Sequence, residues 1–179
     1  MIRMTLWSYT TLTDVATQVP MRRWGPKMEV DVVTSIEIAR PRTHVAAYVC
    51  DPQNATAWYA NIRSTERIDE GPLHVGSQIR FVARFLGRTI AYTYEVREFA
   101  VSERFVMSTA EGPFPMETTY SFEDAGPGDT RVSLRNRGAP RGFSKVAAPM
   151  MEAAMRRANG KDLARLKSIL EGGAAGSRQ

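Results

Sequence analysis

The spacing of apolar and polar positions becomes regular at residue 28. In "EVDVVTSIEI", Val30, Val32, Thr34, Ile36 and Ile38 alternate with Glu29, Asp31, Ser35 and Glu37. That period of two predicts a half-buried strand. In "RPRTHVAAYVCDP" the period lengthens. Val45, Tyr48 and Val49 fall at helical spacing, and Pro41 suits a first helical turn, where its missing N–H costs nothing. Asp51-Pro52 should end this helix, because the residue before a proline is pushed out of the α region. Asn54 then reads as the N-cap of a second short helix carrying Ala57, Trp58 and Ile62.

Six strand patterns follow. "STERIDEG" is short and polar, as an edge strand would be. "SQIRFVARFL" puts Ile79, Phe81, Ala83 and Phe85 on one face, and "GR" at 87–88 turns the chain tightly into "TIAYTYEVREF", with Ile90, Tyr92, Tyr94 and Val96 in phase. "ERFVMSTAEG" aligns Phe105, Met107 and Thr109, and "PMETTYSFED" aligns Met116, Thr118, Tyr120 and Phe122. Beyond the turn "AGPGD", "TRVSLRNRG" aligns Val132, Leu134 and Asn136. From Phe143 to Leu170 apolar residues return at helical spacing, the stripe of one long amphipathic helix. Asn159-Gly160 interrupts the stripe and is expected to mark a bend.

Consecutive strands joined by short turns imply one antiparallel sheet with one solvated face. Only the last helix is long enough to cover the other face. A curved sheet around one helix cannot bring every inward side chain into contact, so a cavity is expected between them. The stretch "IEIARPRTHVAAYVCDPQNATAW" resembles the opening of the START-like (SRPBCC, polyketide cyclase/dehydrase-like) superfamily. "GSQIRFVARF", "YTYEVREF" and a last helix ending "DLARLKSILE" match it in order, so the likeness covers about residues 28–171. It implies an α+β helix-grip fold: a curved seven-stranded antiparallel sheet wrapped around a long C-terminal helix, with two short helices after the first strand. It also implies a cavity for a small hydrophobic molecule. For function the resemblance is less specific, since one fold hosts many activities.

Charge changes the picture less than a pI near 9.7 suggests. Residues 1–27 hold Arg3, Arg22, Arg23 and Lys27 against Asp14, and residues 172–179 add Arg178. The stretch between them carries 19 basic and 18 acidic residues, counted from the sequence, with arginines alternating with carboxylates. No basic stripe forms, which argues against a nucleic-acid binder. Residues 1–27 lack the uninterrupted apolar run of a signal peptide and are expected to form a poorly ordered extension; 172–179 reads as a flexible tail. No run is long enough for a membrane span, and a cytoplasmic protein is the default expectation. The single cysteine, Cys50, excludes an internal disulfide, and His44 and His74 lack ligand-like spacing, so no metal or cofactor is expected.

No serine–histidine–acid set and no phosphate-binding glycine loop stands out. Whether the chain is an enzyme is therefore open at this level. The candidate ligand-binding residues are Trp58, Phe81, Phe85, Tyr92, Tyr94, Phe105, Met107, Met116, Thr118, Tyr120, Asn136, Phe143, Met150 and Met151. The aromatic residues and methionines suit an adaptable apolar wall. Thr118 and Asn136 are the inward polar groups able to orient a ligand, or simply to form local hydrogen bonds. Trp58 reads first as a buried plug and second as a ligand contact at the cavity mouth. The favoured function is binding of a lipid, polyketide or isoprenoid-like molecule. The alternative is a cyclase or dehydratase using the same cavity, with Tyr92, Tyr94 and Tyr120 as its polar groups.

Overall fold

The computed structural model describes residues 30–85, 87–139 and 148–172, with Phe85 and Ala148 described by their backbone alone. The expected extension 1–27, most of the tail 172–179, and Phe143 lie outside the described residues. Seven strands, β1 (Val30–Ile38), β2 (Ile62–Arg67), β3 (Gln78–Phe85), β4 (Arg88–Ala100), β5 (Arg104–Glu111), β6 (Met116–Gly126) and β7 (Asp129–Gly138), form one antiparallel sheet. Its order is β1-β7-β6-β5-β4-β3-β2, so β2 is an edge strand as its polarity implied. Helices α1 (Arg42–Cys50) and α2 (Ala55–Trp58) follow β1, and the long α3 (Ala148–Gly172) closes the described chain. The α+β helix-grip architecture expected from the sequence is the one observed.

The alternating residues keep their phase. Val30, Val32 and Ile38 are buried while Asp31, Val33, Ser35 and Glu37 are exposed or half-exposed. Bulges between Thr93 and Tyr94 and between Val96 and Glu98 break the β4–β5 register. Such bulges increase local bend and twist, which lets the sheet curve around α3. After the second one the phase shifts, and Phe99 packs edge-on against Phe105 at 5.6 Å.

Two sequence expectations need correction. The first is Ile62, which opens β2 and does not lie on the second short helix, because the chain is already extended at Tyr59. The second is Asn54, which does not cap α2 through its side chain. It already has helical backbone angles, and its Nδ2 donates to Tyr48 O at 3.0 Å. The cap is Asp51, whose carboxylate accepts from Gln53 N at 3.0 Å and opens a 3-10 turn over Pro52–Asn54. At Asn159-Gly160, where the stripe is interrupted, α3 stays helical through both residues. The packing of Leu163, Leu166 and Leu170, all buried, outweighs glycine's propensity cost of about 1 kcal/mol.

The two ends of the grip differ. At one, the C-terminal turns of α3 are clamped to β1. Ala39 N donates to Glu171 Oε1 at 2.7 Å, Arg40 donates to Glu171 O at 2.7 Å, and Lys167 donates to Glu37 O at 2.6 Å. Arg40 thereby satisfies a carbonyl at the negative end of the helix dipole. At the other end the register brings together Val30, Gly138 and Met116 with the β3–β4 and β5–β6 turns, beside the start of α3. This is the open end.

Candidate functional site

Between the concave sheet face, the α2–β2 segment and α3 lies a cavity of about 1070 Å³. Its sheet wall comes from in-phase residues of β3 to β7, among them Phe81, Tyr92, Tyr94, Phe105, Met107 and Tyr120. Met116, Thr118 and Asn136 complete that wall, and Trp58, Met150 and Met151 come from the helices. These twelve sequence candidates therefore meet around one space. Of the remaining two, Phe85 is described only by its backbone pairing with Arg88, and Phe143 lies outside the described residues.

Depth separates the twelve. Phe105, Met107 and Tyr120 are almost fully buried, whereas Tyr92, Met116, Asn136 and Met151 are half-buried and Met150 is 74% exposed. Trp58 belongs to the wall but is only 1% exposed. Its partner Tyr59 stacks on it with ring centroids 3.9 Å apart, and Tyr120 meets it edge-on. Phe81, Tyr92 and Tyr94 form a second aromatic group, with centroids 5.0–5.7 Å apart.

Several polar groups interrupt this apolar wall, the Glu117–Arg137 pair among them. On the sheet, the Thr118 hydroxyl donates to Asn136 Oδ1 at 3.0 Å. Its one proton being used, Thr118 accepts from the Tyr94 hydroxyl, 3.2 Å away. The chain thus runs from β4 through β6 to β7 and, among the described residues, leaves the Asn136 amide N–H groups as its free end. Two residues along β6 from Thr118, the Tyr120 hydroxyl is 2.6 Å from that of Tyr59. On α3, buried Asp162 accepts from Ala60 N at 3.0 Å, tying the helix to the α2–β2 connection.

Burial governs how these groups ionise. It pushes Tyr94 up to about 12, against the opposing effect of its hydrogen bond with Thr118. Burial likewise raises Tyr59, Tyr92 and Tyr120, so all four phenols are neutral donors near pH 7. Desolvation also raises Asp162, with the Ala60 N–H and Arg165 pulling the other way. The Cys50 thiol in the same wall rises to about 12 by burial. Among the described residues no group of histidine, cysteine and carboxylate side chains could hold a metal ion. His44 is exposed, and the His74 ring sits on the β2–β3 loop with Nδ1 2.9 Å from Val75 O, away from the cavity wall.

Tyr59, Phe114, Met155 and Asp162 also line the cavity and were missed in the sequence. Tyr59 is masked by the larger Trp58 beside it. Asp162 breaks the apolar stripe, and a carboxylate on a helix is ordinarily read as solvated. Its burial depends on the Ala60 N–H, a contact across about a hundred residues of chain that no local pattern encodes.

Among the described residues no helix is long and apolar enough to cross a membrane. Comparison with curated proteins finds no match. Among solved structures, the chain is similar to TTHA0849 from Thermus thermophilus, with 21% identity and a TM-score of 0.68 over 82% of this chain and 99% of that one. A START superfamily protein from Mycobacterium smegmatis is 16% identical, with a TM-score of 0.69 over 79% and 97%. The Zhui aromatase/cyclase from Streptomyces sp. R1128 is 17% identical, with a TM-score of 0.69 over 83% and 98%. At these identities the likeness speaks for the fold, which is START-like. The family described as polyketide cyclase/dehydrase and lipid transport matches residues 29–171, from the residue before β1 to the last turn of α3, and the chain belongs to it.

Proposed function

We propose that the chain binds one small, mainly apolar molecule carrying an acceptor oxygen, held between the sheet and α3. The observation that carries this reading is the cavity of about 1070 Å³, walled by aromatic and methionine side chains, into which the Asn136 amide is presented. Its size suits a drug-sized or larger ligand, for which pockets of about 300–1,000 Å³ are usual. The half-buried Tyr92, Met116 and Met151 would contact the apolar body. The Asn136 amide would donate to a carbonyl or hydroxyl oxygen. Native mass spectrometry of gently purified protein, followed by displacement of an apolar fluorescent dye, tests the reading. A 1:1 complex and competitive displacement by lipids or polyphenolic ketones support it; no uptake from a broad panel sinks it.

A second reading is a cyclase or dehydratase acting on a carbonyl compound. It is supported by the neutral Tyr94 and Tyr120 hydroxyls, which bond to side chains and not to backbone. In the Tyr59–Tyr120 pair one hydroxyl keeps a free proton and could stabilise a developing enolate, with the Asp162 carboxyl as a group able to take a proton. The aromatase/cyclase among the similar folds makes aromatic polyketide precursors the sensible substrates to try. Turnover that survives in wild type and is lost in Asp162→Asn, with dye binding retained, would favour this reading over simple binding.

A further inference from the structure

Beside the cavity stand two cations that have no hydrogen-bond or ion-pair partner among the described residues, Arg157 and Lys161, one turn apart on α3. Both are exposed and border the cavity. Lys161 precedes Asp162, whose carboxylate accepts from Ala60 N and so sets this part of α3 against the α2–β2 connection. Arg84 of β3 alternates with the inward Phe81 and Ala83 and belongs to the other sheet face.

The arginines of β7 on the convex sheet face differ. There Arg131 pairs with Glu37 at 2.7 Å and Arg135 pairs with Asp31. The cavity's own carboxylates are already engaged. Glu117 is 3.2 Å from Arg137, and Asp162 is turned to Ala60 N–H. Uncompensated positive charge at the rim of an apolar cavity raises the local concentration of anions. Long basic side chains lay their stems along apolar surface and keep their heads in water. Met150, Ala154 and Ala158 on the same side of α3 supply that surface.

We infer that the ligand is an anionic amphiphile, its apolar part in the cavity and its carboxylate or phosphate head at Arg157 and Lys161. This rests on the binding function proposed above and adds the class of head group. The test compares three single-chain probes, dodecanoate, dodecyl phosphate and 1-dodecanol, each below its micellar concentration, by calorimetry or dye displacement. Wild type should bind both anions about tenfold more tightly than the alcohol, with the gap narrowing as salt is raised. In the double variant Arg157→Gln, Lys161→Gln the gap should fall below about threefold, as expected when exposed charge contacts are removed. A stronger response to one anion assigns the head as carboxylate or phosphate. Equal affinity of wild type for all three probes, or a gap unchanged in the variant, overturns the anionic head and leaves hydrophobic binding standing. Failure of all three to bind overturns both.

Discussion

Trp58 shows how a residue's exposure decides its role. An indole at a cavity mouth would keep a face open to ligand, but this one is 1% exposed, stacked on Tyr59 and edge-on to Tyr120. Its N–H has no hydrogen-bond partner among the described residues, so what it contributes is buried area. Trp58→Ala should therefore cost about 3–5 kcal/mol, the range for deleting a large buried aromatic. Urea unfolding measures this; a loss under about 1 kcal/mol would return Trp58 to the mouth. Tyr59 is the better candidate for touching ligand, because it is half-buried and its hydroxyl meets Tyr120.

At the scale of elements, α3 does two jobs along its length. Its last turns are locked to β1 through Glu171, whose carboxyl is held below its usual 4.5 chiefly by the Ala39 N–H, helped by Lys167 and Arg40. A depressed carboxylate contributes stability that is complete above the ordinary carboxylate range and is lost as pH falls through the folded-state value. The stability gap between wild type and Glu171→Gln should thus be full at pH 7 and close on acidification below about pH 4.5. Denaturant melts at pH 7 and pH 3 check the sign; a gap that widens in acid would contradict the clamp. In mid-helix, Gly160 faces open space, with nothing within 4 Å of a Cβ built there. Gly160→Ala should then stabilise the protein by roughly 0.8–1 kcal/mol from helix propensity alone, read as a raised Tm. A destabilised variant would mean that the glycine meets something outside the described residues.

At the scale of the whole molecule, local periods in the sequence were enough to place seven strands, a covering helix and a cavity, because alternation and helical spacing are imposed by burial on one side. The same periods put Tyr94, Thr118 and Asn136 on one face, though not the hydrogen bonds that join them across three strands. Asp162 and the Asn54 contact were illegible, since each is decided by a partner distant in the fold or by a one-residue shift in a turn. What results is a molecule with a packed end and a hollow end, and mutations should read the two differently. Leu166 is fully buried in the core cluster of the packed end, whereas Met116 is half-buried on the wall at the open end. Leu166→Ala should cost about 2–5 kcal/mol through lost contacts and a new void. Met116→Ala removes surface that already faces a cavity, so its cost should stay near ~1 kcal/mol by area. For ligand affinity the order should reverse, with Met116→Ala weakening an apolar ligand severalfold and Leu166→Ala changing it little at a temperature where both remain folded. Unfolding curves and dye titrations on the same two variants decide it. Equal stability losses, or an affinity loss confined to Leu166→Ala, would show that the hollow end is part of the supporting core and that the ligand site lies elsewhere.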